Sequence, residues 1–419
     1  MEFNVGGDRL MGEPIRIKSL DPTLRDEMAE LLNGYDFSNC LTCGMCTAGC
    51  IYSNLHEDQD PRKFIRKVVL GMRGEAENDP FIWNCTMCNR CTVECPMGVN
   101  INALVRAFRG KVAMPPGHLQ IIADDHIRTG NQMGVEQIDY DDTLQWIEEM
   151  MQEDLKDPTY KIPLDVPNAD FFFGFNAREI KHYPADLQST LNVFHAAKAN
   201  FTISSKRWDA TNICLFTGKN DEFVEISRPM FEEAEKLNPK EIIVTECGHA
   251  FRSTRVFARD YWKGKQMPVR SIVELYEDWI KDGTLKLDKT RNTIPVTLHD
   301  PCNTVRKEGI VEPQRYVLSN TVMDFREMFP NRMYNLCCGA GGGAGAVAAT
   351  KGMRMIKAKP KVDQLIATGA KIGCIPCHNC MDQFVDMNKH YKLGMKMMHL
   401  TALIEVALGL VDEEKQFFH

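Results

Sequence analysis

Sixteen cysteines stand in a chain of 419 residues. Eight of them fall into two copies of one spacing. The first is Cys40-x-x-Cys43-x-x-Cys46-x-x-x-Cys50, and the second is Cys85-x-x-Cys88-x-x-Cys91-x-x-x-Cys95-Pro96. A [4Fe–4S] cube needs four thiolates converging on one core. Two-residue gaps aim three successive sulfurs inward from a tight loop, and the fourth comes from a distant point of the chain. In two-cluster ferredoxins the last cysteine of each run serves the other cube. The spacing therefore predicts Cys40, Cys43, Cys46 and Cys95 on one cluster, and Cys50, Cys85, Cys88 and Cys91 on the other. That crossing brings the two cubes close enough for fast electron transfer. Zinc sites pair two Cys-x-x-Cys halves and need neither a third cysteine at the same spacing nor a trailing Cys-Pro. The repeated full run favours iron.

A second group lies toward the C-terminus: Cys302, then Cys337-Cys338-Gly339, then Cys377-His378-Asn379-Cys380, with Cys374 three residues earlier. Side chains of adjacent cysteines diverge, so such a pair rarely serves one cube. It suits a larger, open cluster that presents several irons along one wall. A disulfide between Cys337 and Cys338 would be strained. The run Gly339-Ala340-Gly341-Gly342-Gly343-Ala344-Gly345 lets backbone approach such a cluster closely and turn N–H groups toward sulfide. Gly339, Gly341, Gly342 and Gly343 are thus candidate cofactor contacts. The run also contains Gly-x-Gly-x-x-Ala, a degenerate dinucleotide fingerprint. Two cysteines close the segment before it and no clear strand-ending acidic residue follows, so dinucleotide binding is rejected.

Composition agrees with metal or redox cysteines in a reducing compartment. The cysteine fraction is well under the ~8–10% of a disulfide scaffold, and a chain this long needs no covalent staples. Hydrophobic residues at 44% are enough for real cores, and charged residues at 26% argue against low-complexity disorder. The net charge of −7 argues against nucleic-acid binding, which needs clustered Lys and Arg. Met1–Gly12 has no basic stretch followed by an apolar run, so no secretory signal is expected. The longest apolar stretch, Met397–Val411, contains His399 and Glu405 and is too short to span a bilayer. A soluble chain is expected, reaching a membrane only through a partner.

These groups need elements to hold them. Residues 1–35 form an N-terminal segment with a short helix at Thr23–Leu32. Residues 36–112 hold the two cysteine runs and read as a helical ferredoxin domain. Between the runs, Pro61–Gly71 reads as an amphipathic helix with a solvated basic face. Residues 113–165 read as a helical connector, with Thr143–Leu155 rich in Glu and Met. From 166 onward the texture alternates. Phe171–Phe173, Glu241–Thr245, Val296–Leu298 and Lys371–Ile375 read as strands. Glu222–Leu237 reads as a helix stopped by Pro239. Such alternation predicts α/β architecture. Residues 166–290 and 291–419 read as two copies of one unit. Glu241–Thr245 with Cys247 parallels Lys371–Ile375 with Cys377. Ser271–Leu275 parallels His399–Ile404, and Asn212-Ile213-Cys214 with Gly218 parallels Asn335–Gly339.

At this point the chain resembles a known family. Cys302, Cys337-Cys338-Gly339 and Cys377-x-x-Cys380 look like the CCG motif of heterodisulfide reductase catalytic subunits. Pro61-Arg62-Lys63 through Trp83-Asn84-Cys85 resembles the ferredoxin subunit of the same enzymes. Fused, the two resemble the D-type subunit, and more closely the DsrK-type subunit and its homologues in the Hmc and Tmc complexes. Glu246-Cys247-Gly248-His249-Ala250-Phe251 is similar to a segment of that branch. The resemblance implies an α+α/β fold: a helical two-[4Fe–4S] ferredoxin domain, then a duplicated α/β CCG domain of the heterodisulfide reductase B kind. It implies a noncubane [4Fe–4S] cluster on Cys302, Cys337, Cys338, Cys377 and Cys380, fed by two cubanes. The activity implied is oxidoreduction of a disulfide or trisulfide, carried on a small DsrC-like protein or a small molecule. Implied partners are a membrane cytochrome b-type quinone-interacting subunit and other redox subunits, with the chain peripheral on the cytoplasmic face.

Two departures stand out. The first repeat keeps only Cys214 and Cys247, which predicts one special cluster rather than two. The gap from Cys338 to Cys377 is slightly longer than the family norm, and measuring to Cys374 would shorten it. Cys377 and Cys380 are preferred as the closing pair, leaving Cys374 a buried strand cysteine and Cys214 a core residue. Thiol products need protons, and His249, His378 and His299 are the candidates. Cys247 lies near the cluster or is a relic. The alternative function is an electron-relay subunit of a glycolate, lactate or glycerol-3-phosphate dehydrogenase system, which shares the layout but usually carries two CCG motifs.

Overall fold

The computed structural model describes residues 17–418 apart from 33, 35, 36, 38, 52, 54–59 and 112–114. The first part is helical. Its core is built from Phe37, Phe64, Ile65, Phe81, Leu104 and Phe108, and Cys40, Cys46, Cys50, Cys85, Cys91 and Cys95 pack against it. The helix Pro61–Val69 starts where Asp60 accepts the backbone N–H of Lys63 at 2.6 Å, with proline at its first turn. Its apolar face sets Phe64 against the rings of Phe81 and Phe108, with centroids at 5.5 and 5.4 Å. The opposite face carries the basic residues. The helix Ile101–Lys111 closes this core and leads to the helices Gly117–Thr129 and Gln137–Leu155.

The rest folds around two four-stranded, all-parallel sheets. The first contains β1 (Phe171–Gly174), β2 (Phe201–Thr202), β3 (Glu241–Val244) and β4 (Val269–Ser271), in the order β2-β1-β3-β4. The second contains β5 (Val296–Leu298), β6 (Phe325–Arg326), β7 (Ile372–Cys374) and β8 (Lys396–Met398), in the order β6-β5-β7-β8. Parallel strands sandwiched between helices are buried on both faces. That is why the central strands read as continuous apolar runs and not as alternating ones. Register makes the correspondence residue by residue. Gly174 pairs with Val244 and Val244 with Ser271, as Leu298 pairs with Cys374 and Cys374 with Met398. Val244 and Cys374 are therefore equivalent, and Cys247 and Cys377 each lie three residues further on.

One apolar core runs through both units, from Phe171, Phe173 and Ile243 to Val296, Ile372 and Leu403. Polar pins cross the same boundary. Tyr276 Oη and Thr401 Oγ1 are 2.9 Å apart, and Asn192 donates to Glu405 Oε1 at 2.8 Å. Among the described residues no helix is long and apolar enough to cross a membrane.

Candidate functional site

The two ferredoxin-type loops fold alike because their spacing is alike. Thr42 and Gly44 in the first, and Met87 and Asn89 in the second, all take positive φ. Left-handed residues inside each two-residue gap turn the chain sharply enough to aim successive sulfurs at one point. Cys40, Cys43, Cys46 and Cys95 line one small cavity. Cys50, Cys85, Cys88 and Cys91 line a second, and Cys337 from the far end of the chain shares its wall. Cys43 is exposed and the other seven thiols are half-buried. Burial pushes the Cys85 thiol up to about 11 and raises Cys50 and Cys91 well above the ordinary range. Convergent thiols that resist ionisation on their own suit soft, thiophilic metal ions, whose charge supplies what the site lacks. The donor set fits iron–sulfur clusters.

The C-terminal cysteines gather at a topological feature. In an open parallel sheet, ligands bind beyond the carboxyl ends of the strands where the strand order reverses. In the second sheet that point lies between β5 and β7. Cys302 follows β5 and Cys377 follows β7, opening the helix His378–Tyr391 that carries Cys380. A π-helical turn, Asn303–Lys307, comes directly after Cys302. Cys337 and Cys338 arrive on a loop, with Cys338 Sγ 3.4 Å from Cys380 Sγ. All five are buried, and burial pushes the Cys302 thiol up to about 12. Asp300 fixes the loop after β5 through a bidentate pair with Arg315, both bonds at 2.8 Å, while accepting from Gln314 and the Arg332 N–H.

The first sheet presents its own reversal point to this site. Cys247 and His249 follow β3 and meet Cys377, with ligand atoms of the three within 4.8 Å of one another. His249 Nδ1 is 3.5 Å from Cys377 Sγ. On the other side His299 groups with Cys338 and Cys380. Its ring lies 4.7 Å from Phe384, and neither of its nitrogens has a partner. His378 faces Asp186 and His399. Cys374 is buried within β7, and Cys214 is buried in the helix Ile213–Thr217. In the first unit Arg178 follows β1 as Cys302 follows β5. Ala250 follows Cys247 at the spacing of Cys380 after Cys377. Those two positions lack sulfur.

The glycine run docks the two cysteine sites together. A Cβ at Gly341 would lie 2.4 Å from the Thr86 carbonyl, and one at Gly342, where φ is +62°, 2.5 Å from that of Cys85. Only glycine lets the two loops touch. Cys337 Sγ then reaches Thr86 Oγ1 at 3.4 Å, and the Gly339 N–H faces Cys337 Sγ at 3.4 Å. Two buried arginines lock the joint. Arg109 donates to the carbonyls of Ile82, Cys85 and Gly342 at 2.7–2.9 Å and stacks over Trp83 at 4.5 Å. Arg306 donates to those of Cys88, Asn335 and Met333 at 2.6–2.8 Å. Neither arginine was expected from the sequence. In the Ile101–Lys111 helix nothing sets Arg109 apart from Arg106, which also donates across a domain joint.

Residues 39–100 match the 4Fe-4S dicluster domain family, and residues 296–385 match the cysteine-rich domain family. The D subunit of dihydromethanophenazine:CoB–CoM heterodisulfide reductase from Methanosarcina acetivorans is 27% identical over 79% of this chain and 79% of its own. Hdr-like menaquinol oxidoreductase iron-sulfur subunit 2 of Archaeoglobus fulgidus is 26% identical over 80% of this chain and 70% of its own. The Hdr-like menaquinol oxidoreductase iron-sulfur subunit of Archaeoglobus profundus is 24% identical, again over 80% of this chain and 70% of its own. The chain is thus an iron–sulfur oxidoreductase that joins a dicluster domain to a cysteine-rich domain. Within that class its likeness is to the D-type subunit of heterodisulfide reductase and the Hdr-like iron–sulfur subunits.

Proposed function

We propose that the chain is the catalytic subunit of a heterodisulfide-reductase-like complex, passing single electrons inward to a buried site that cleaves an S–S bond. Cys40, Cys43, Cys46 and Cys95 hold an outer cubane, and Cys50, Cys85, Cys88 and Cys91 hold an inner one. Cys302, Cys337, Cys338, Cys377 and Cys380 hold a noncubane [4Fe–4S] cluster. When bound, that cluster supplies open iron positions for sulfur and accepts electrons one at a time. The net reaction is RS–SR′ + 2e⁻ + 2H⁺ → RSH + R′SH. The electrons come from a membrane quinone-type carrier through a partner subunit, and the same path runs in reverse for thiol oxidation.

The observation that carries this reading is the joint. Cys337 shares a wall with the inner four thiols and touches Thr86 between two of them. Electrons need no further relay. His249, beside Cys377, stands where a product thiolate would need a proton. Arg178 and Ala250 leave the first unit without a full ligand set, which favours one special cluster over the two of the dehydrogenase-type relays. The relatives are named for dihydromethanophenazine and menaquinol, which supports a quinone-type electron source. The substrate is a disulfide or trisulfide, carried on a small DsrC-like protein or on a small molecule.

Anaerobic purification followed by stepwise oxidation, with EPR and iron analysis on the same sample, tests the proposal. About twelve irons per chain are expected from four per cluster. A paramagnetic signal that appears on oxidation and is perturbed by thiol should also appear. Cys338→Ala should drop the count to about eight and abolish that signal alone. A wild-type chain with about eight irons, two reducible cubes and no thiol response would make it a relay subunit.

A further inference from the structure

Beside the thiols lies a buried polar knot with no role in the scheme above. His378 and His399 are 1% and 3% exposed, and none of their four ring nitrogens has a hydrogen-bond partner. Their ring centres are 4.2 Å apart. Both face Asp186 Oδ2, His399 Nε2 at 3.4 Å and His378 Nε2 at 3.7 Å. One donor atom from each of the three lies within 4.8 Å of the other two. These separations exceed the usual ~2.7–3.2 Å of a hydrogen bond. They approach the ~3.3 Å edge of a tetrahedron drawn about a metal with bonds of about 2.0–2.1 Å.

The surroundings hold an excess of acid. Glu179 and Glu246 line the same small cavity, and Glu246 Oε2 lies 3.9 Å from His399 Nδ1. Glu246 accepts from the N–H groups of Leu400 and Thr401, and Glu179 from the Asn176 N–H and the Thr245 hydroxyl. Among the described residues no lysine or arginine pairs with Asp186, Glu179 or Glu246. Three carboxyls thus surround two buried imidazoles whose four ring nitrogens make no hydrogen bond.

We propose that Asp186, His378 and His399 hold a mononuclear divalent transition-metal ion, separate from the iron–sulfur clusters. Two imidazole nitrogens and one carboxylate oxygen with an open fourth position suit zinc or ferrous iron. Glu246 orients His399 through its other ring nitrogen, as carboxylates do behind metal-bound histidines. Asp186 comes from the helix Pro184–Ala196 of the first unit, and both histidines come from the second. The ion therefore pins the two units together next to Cys377.

Anomalous diffraction from crystals of the full-length, cluster-loaded protein grown with Zn²⁺, recorded around the iron and zinc edges, tests this. An isolated peak at bonding distance from the three side chains is expected, well apart from the iron at the cysteines. Asp186→Asn and His399→Gln should remove that peak and about one metal equivalent while the cluster iron is retained. No peak in the wild type, or a peak unchanged in both variants, overturns the proposal. The wild-type map decides by itself if the variants fail to fold.

Discussion

At the scale of single residues, the proposed chemistry rests on what stands next to each thiol. His249 is half-buried with its Nδ1 3.5 Å from Cys377 Sγ, close enough to hand a proton to sulfur. His249→Ala is expected to lower disulfide turnover by roughly 10²–10⁴-fold, the usual worth of a positioned acid, with iron content unchanged. Steady-state assay with an artificial electron donor, beside iron analysis, checks it. Loss of iron in step with activity would make His249 a structural neighbour instead. Much of this was legible because the chemistry is periodic: Cys-x-x-Cys-x-x-Cys marks its own loop, and the adjacent Cys337-Cys338 pair marks another. His249 and Cys247 could be suspected from the likeness of the two units. His399 and Asp186 could not. They meet only after the chain has doubled back, from the helix Pro184–Ala196 and the end of β8, and neither neighbourhood has a spacing that signals a ligand. Buried arginines escape for the same reason: their partners are carbonyls, which no sequence pattern displays.

At the scale of elements, the glycine run is a joint between domains. From the sequence, Gly339, Gly341, Gly342 and Gly343 are expected beside a cluster, because bare backbone can approach metal closely. In the structure Gly339 faces Cys337, while Gly341 and Gly342 lie against the carbonyls of Thr86 and Cys85. Glycine permits close approach to any surface. What it approaches depends on a partner loop some 250 residues away, which local sequence does not name. Gly342→Ala is expected to push the inner cysteine loop off the C-terminal site. Both sites would keep their iron, but electron transfer between them should slow by tenfold or more. Stopped-flow reduction followed by freeze-quench EPR would read the change, and unaltered kinetics would show that the loops need not touch. Strand order was less legible than strand position. Val296–Leu298 and Lys371–Ile375 announce themselves as apolar runs, but only pairing makes β5 and β7 neighbours and so brings Cys302 to Cys377.

At the scale of the whole molecule, the two sheet units act as one body. Glu405 lies in the helix Leu400–Leu408 of the second unit and binds Asn192 of the first. Burial pushes its carboxyl up to about 6, with hydrogen bonds from Ser189 and Asn192 pulling the other way. A carboxyl whose folded value is raised holds its proton longer in the folded chain. Its contribution to stability is complete below the unfolded value near 4.5 and is lost as pH rises through about 6. Glu405→Gln, which never ionises, should therefore gain on the wild type as pH rises across that window. The gain should total about 2 kcal/mol and level off above about pH 7. Denaturant unfolding at several pH values checks it, and a difference independent of pH would sink it. The inward order of the sulfur sites has one more consequence. Cys43 is exposed, with Leu41 64% and Met45 47% exposed around it. The cysteines of the C-terminal site are walled in by both units and the docked glycine run. An oxidant arriving from solvent meets the outer thiols first. On the proposed electron path they would serve as a fuse: damage there would cut the supply line while the innermost chemistry, the hardest part to rebuild, was left whole.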